Sequence, residues 1–164
     1  MAAKLSYYIE APVESVFDFM KDPGKTADIG PFTLEVPEVK MTKEGIGTYM
    51  SWRTKIAGVV PVEGFDVFTD VVSNKRIVEK SSNAMVGTWE YTFEPEGSGT
   101  KLTMEHRPRS LWGVPPLKQL VDYGTVRMSR LYADELKSRI EAEAALPSQR
   151  KPTASKPRKR AASR

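Results

Sequence analysis

Through the middle of the chain apolar and polar residues alternate, and at both ends the alternation gives way to steps of three and four. Residues 4–10, KLSYYIE, have strand character through Tyr7, Tyr8 and Ile9. Ala11-Pro12 ends that strand, because proline cannot donate to a ladder. Val13, Val16, Phe17 and Met20 then fall at i, i+3, i+4 and i+7, one face of a short helix. Pro12 suits the start of this helix and Asp22-Pro23-Gly24 its exit, with KTADIG suited to a further helical turn.

After Pro31 the period becomes two. LEVPEVKMTKEG reads as extended, and Pro37 marks an edge or a bulge. In GIGTYMSWRTKIAG, Met50, Trp52, Thr54 and Ile56 share one face, with Tyr49, Ser51, Arg53 and Lys55 opposite. VVPVEGFDVFTDVV is a long strand in which Gly64 predicts a bend or bulge. A turn at SNK leads to a short strand, RIVEKSS. GTWEYTFEPEG sets Trp89, Tyr91 and Phe93 against Thr88, Glu90 and Thr92. After the hairpin signal EGSGT, KLTMEHRPR puts Leu102, Met104 and His106 on one face. From about Pro116 to Leu146 the helical period returns. Leu117, Leu120, Val121, Gly124, Met128, Leu131, Tyr132, Leu136 and Ile140 form the apolar stripe of one long helix.

This order predicts an α+β helix-grip architecture: a curved antiparallel sheet of six to seven strands wrapped around a long C-terminal helix, with short helices after the first strand. Concave space between sheet and helix is where such a fold takes a small molecule.

The stretch IEAPVESVFDFMKDPGK, through Ala11, Pro12, Glu14, Val16, Phe17, Asp22 and Pro23, resembles the opening of the START-like, or SRPBCC, superfamily. The resemblance spans about residues 3–145 and looks nearest to the bacterial polyketide cyclase/dehydrase and lipid-transport proteins. It implies the helix grip and an apolar cavity. It does not choose among lipid carriers, pigment binders, aromatic-ring cyclases and chaperone co-activators, and it brings no catalytic signature to particular residues.

Charge divides the chain in two. From Pro147 onward it holds three lysines, four arginines and no acid, so the overall +4 leaves −3 on residues 1–146. The expected organisation is a ligand-binding domain over 1–146 and a disordered basic tail over 147–164, proline-broken and without a large apolar side chain. The tail would make weak, salt-sensitive contact with nucleic acid or an anionic membrane, or act only as a solubilising segment. The body is too acidic for a basic nucleic-acid-binding domain. With one histidine and no cysteine, the chain offers no ligand set for zinc, haem or iron–sulfur, and no cofactor is expected. The lack of cysteine fits a reducing cytoplasm, and neither a signal peptide nor a membrane-spanning run is expected. The sequence does not set the oligomeric state.

His106 is the one side chain that titrates near neutrality unaided, and parity puts it on the face of Leu102 and Met104, opposite Trp89, Tyr91 and Phe93 on the partner strand. It is either a general acid or base or a polar contact that orients a ligand. Glu90 and Glu105 should point to the other face; Asp66 and Asp122 are the carboxylates to weigh as partners. Trp52 and Trp89 suit a cavity wall or a plain core, and Met50, Met104 and Met128 an adaptable lining or a core. Trp112, before the long helix, suits a lid or a staple, and Gly124 leaves room for a ligand or for close packing. Tyr132 completes the inward set. Arg107 and Arg109 would hold an acidic head group or form a solvated rim. Three functions remain: binding or transport of a small hydrophobic ligand (a lipid, fatty acid or polyketide-like molecule), a cyclase or dehydratase using His106, and a chaperone co-activator or tail-tethered interaction protein.

Overall fold

A computed structural model gives the architecture. It describes residues 3–29, 35–56, 59–82, 87–107 and 115–145, with side chains of the last segment described from Val126. The chain runs β1 (Ala3–Ile9), α1 (Val13–Met20), α2 (Pro23–Thr26), β2 (Glu35–Lys40), β3 (Tyr49–Ile56), β4 (Val60–Val72), β5 (Arg76–Ser81), β6 (Thr88–Glu96), β7 (Gly99–Arg107) and α3 (Pro115–Ala145). The seven strands form one antiparallel sheet in the order β1-β7-β6-β5-β4-β3-β2. From β2 to β7 the sheet is a meander, and β1 returns to pair with β7, in register from Ala3 with His106 to Ile9 with Thr100.

Local chemistry accounts for these elements. Pro12 stands just before α1, and Asp22 caps α2 through its carboxylate, which accepts from Gly24 N at 2.9 Å. Between β6 and β7 the turn is two residues long, with Gly97 at φ 59°. Pro37 sits on the edge strand β2, where the register slips between Glu35 and Glu38, as its missing N–H requires. The bend expected at Gly64 lies elsewhere: β4 is irregular between Phe68 and Asp70. Gly64 instead makes room for a neighbour, since a Cβ there would stand 2.7 Å from Cζ2 of Trp52.

The core forms between the inner face of the sheet, α1 and α3. Val16, Phe17, Phe19 and Met20 of α1 meet Phe93, Leu102 and Met104 of the sheet, with Phe17 edge-on to Phe93 at 5.4 Å. From α3 come Ala133, Leu136 and Ile140. Ser129, Ala133, Leu136 and Ile140 are the buried row of that helix, whereas Leu131, counted on the apolar stripe, is 46% exposed. The far end of α3 is tied down by polar contacts: Glu141 accepts from Glu10 N, Lys25 pairs with Glu143, and Arg139 bridges Glu135 and Asp28. No helix among the described residues is long and apolar enough to cross a membrane. The proposed tail, residues 147–164, and Trp112, Arg109 and Pro108 lie outside the described residues; Gly124 falls on α3 where only the backbone is described.

Candidate functional site

Ladder register places one row of side chains across the inner face: Phe68 on β4, Glu79 on β5, Trp89 on β6 and His106 on β7. His106 is buried, as parity required, and its ring lies flat on Trp89, with centroids 4.0 Å apart and planes 8° from parallel. Trp89 also stacks along its own strand with Tyr91 at 6.0 Å and meets Tyr132 of α3 at 6.0 Å. The sheet and α3 thus contribute to one aromatic group.

Beside this group are two acids. Glu79 faces inward from β5. Asp66 faces inward from β4, paired in register with Ser81. Tyr91 Oη donates to Glu79 Oε2 at 3.3 Å. Burial pushes the Glu79 carboxyl well above the ordinary carboxylate range, and the charge of Asp66 pushes it further; Asp66 is raised too, again chiefly by burial. The two carboxyls also interact with each other, so a proton is held between them. Burial and the same carboxyls also raise the Tyr91 and Tyr132 hydroxyls, which stay protonated as donors.

Trp52 reaches this site from β3. Its indole approaches Asp66 and favours the carboxylate. Yet neither Trp52 Nε1 nor Asp66 Oδ1 closes a hydrogen bond among the described residues, although Trp52 is 5% and Asp66 8% exposed. Glu79, Trp89, Met128 and Tyr132 are only half-buried.

The expected site residues therefore separate. Trp89, Tyr91, His106 and Tyr132 come together, and Met128 is half-buried one turn before Tyr132 on α3. Phe93, Leu102 and Met104 are occluded in the main core, and Met50 packs with Trp52 and Ala27 in a smaller cluster. Glu90 and Glu105 point outward as expected, and Arg107 pairs with both of them there, so it is not an anchor at a cavity mouth. Asp66 meets Trp52, Ser81 and Glu79. Sequence reasoning passed over Glu79. Its signal was present in RIVEKS, where the parity of Ile77 and Ser81 carries Glu79 inward. No group of three His, Cys, Asp or Glu among the described residues could hold a metal ion.

Residues 10–141 match the family model for activator of Hsp90 ATPase homolog 1-like proteins. The chain belongs to that family. It lies within the SRPBCC superfamily, so the resemblance read from the sequence holds at superfamily level. Solved structures of the same fold include a Chromobacterium violaceum protein, with TM-score 0.63 and 17% identity over 85% of this chain and 96% of its own. The AHSA1-like protein of Aeromonas hydrophila gives 0.59 and 17% over 87% and 94%. A Thermus thermophilus protein gives 0.63 and 20% over 88% and 100%. At these identities the likeness concerns the fold alone. None of the curated proteins compared with the chain matches it in sequence.

Proposed function

We propose that the chain binds a small, largely apolar molecule in the cleft between the sheet and α3. The observation that carries this reading is the set of inward side chains that stay half-buried: Trp89 and Tyr132 offer aromatic faces, and Met128 an adaptable apolar one. A core residue gains by complete occlusion, whereas a ligand contact has to remain reachable. The fold is one that commonly binds hydrophobic ligands. A lipid, a fatty acid or a polyketide-like molecule suits the apolar wall. Native mass spectrometry of the purified protein, followed by organic extraction, tests the reading. A stoichiometric apolar adduct that is lost in Trp89→Ala is expected; an adduct unchanged by that substitution would place the ligand elsewhere. If the cleft also performs cyclase or dehydratase chemistry, the proton between Glu79 and Asp66, beside Tyr91, is a better-placed source than His106, whose ring lies flat on Trp89.

The family match favours a second reading, action on a chaperone ATPase. The outer face of the sheet supplies an apolar surface for it: Phe65 is 44% exposed, and Tyr49 packs beside it at 5.4 Å. Stimulation of Hsp90 ATPase turnover that Phe65→Ser abolishes is the expected result. Turnover unaffected by the protein would rule the reading out.

A further inference from the structure

Nothing in the aromatic wall accounts for two carboxyl groups side by side in the interior. Asp66 is buried, and Glu79 sits beside it, yet no lysine or arginine among the described residues acts on either. The other titratable groups around the pair are Tyr91 from β6 and Tyr132 from α3, both neutral donors, with His106 of β7 beyond Trp89. Buried acids are ordinarily neutralised by a cation or a metal. Here the pair is left to share a proton, and the neighbouring Asp66 Oδ1 and Trp52 Nε1, both buried, close no hydrogen bond among the described residues. Trp89, Tyr91 and Tyr132 stand next to the pair, and aromatic faces attract cations as well as apolar groups.

We infer that the ligand of the cleft carries a protonated amine, seated on the Asp66–Glu79 pair with its apolar body against Trp89 and Tyr132. An ammonium group would supply the missing counter-charge, displace the shared proton to solvent and donate to the carboxylates in its place. A carboxylate head group would meet two acids at the same place. The inference rests on the cleft proposed above and sharpens it, since it excludes free fatty acids.

Three probes that share one ring system and differ in head group decide the matter: tryptamine, tryptophol and indole-3-acetate, titrated calorimetrically into the full-length protein at neutral pH. Tryptamine is expected to bind at least about tenfold more tightly than tryptophol, with indole-3-acetate weakest. That preference should shrink in Asp66→Asn and vanish in the Asp66→Asn/Glu79→Gln double variant, whose fold is checked by circular dichroism. If the double variant does not fold, the single one reports alone. Equal or tighter binding of tryptophol or indole-3-acetate overturns the amine and leaves the cleft standing. No binding of any probe overturns both. A tryptamine preference that survives the substitutions overturns the assignment to this pair.

Discussion

At the residue scale the site is governed by burial of charge. Glu79 and Asp66 both take up protons more readily in the folded chain than in the unfolded one. The native state therefore binds more protons, and stability falls as pH rises through the interval between the unfolded carboxylate value, near 4, and the raised native one. Glu79→Gln, close in shape to the protonated acid, should flatten this dependence and raise the melting temperature at neutral pH, as read by thermal unfolding between about pH 4 and about pH 9. An unchanged pH profile would mean that Glu79 is solvated in the folded state. Gly64 poses a steric question of the same size. Gly64→Ala drives a methyl into the buried Trp52 ring and should cost about 1–3 kcal/mol in chemical denaturation. Ala at an ordinary strand position would instead be a gain.

Elements show where periodicity is a sufficient guide. In β6 and β7 strict alternation fixed which side chains turn inward, and register then set Trp89 directly beside His106. In α3 the stripe was too broad. Leu136 and Leu131 both lie on it, but only Leu136 is occluded. Leu136→Ala should cost about 2–5 kcal/mol and Leu131→Ala about 0.5 kcal/mol or less, measured as shifts in the denaturation midpoint at constant slope. Equal losses would mean that α3 is rotated about its axis. Arg139 joins α3 to the loop after α2 through Asp28 and Glu135, all partly exposed, so Arg139→Ala should cost no more than about 1 kcal/mol.

For the whole molecule the arrangement separates support from function. The part of the sheet near Phe93, Leu102 and Met104 is filled by α1 and α3 and holds the fold together. Next to it, Glu79, Trp89 and Tyr132 come together and stay half-buried. A ligand that binds only the folded chain stabilises it by mass action. Saturating tryptamine should therefore raise the melting temperature of the wild-type protein, and should raise it less in Trp89→Ala, which loses the aromatic seat while both carboxyls remain. An equal rise in both would exclude Trp89 from the seat.

The helix grip was legible in the sequence because its signals are local. Alternation marks half-buried strands, steps of three and four mark helices, and Pro12, Pro37 and Gly97 punctuate them. Half of the candidate site was legible for the same reason: parity alone turned Trp89, Tyr91 and His106 to one side. The other half was decided only by tertiary structure. Glu79 in RIVEKS reads as an ordinary surface charge until β4 and β6 flank its strand, and Asp66 meets it only once two neighbouring strands are in register. Spacing along a chain determines which way a side chain points. Which charges share an interior, and so which of them must keep a proton, depends on contacts between residues distant in sequence.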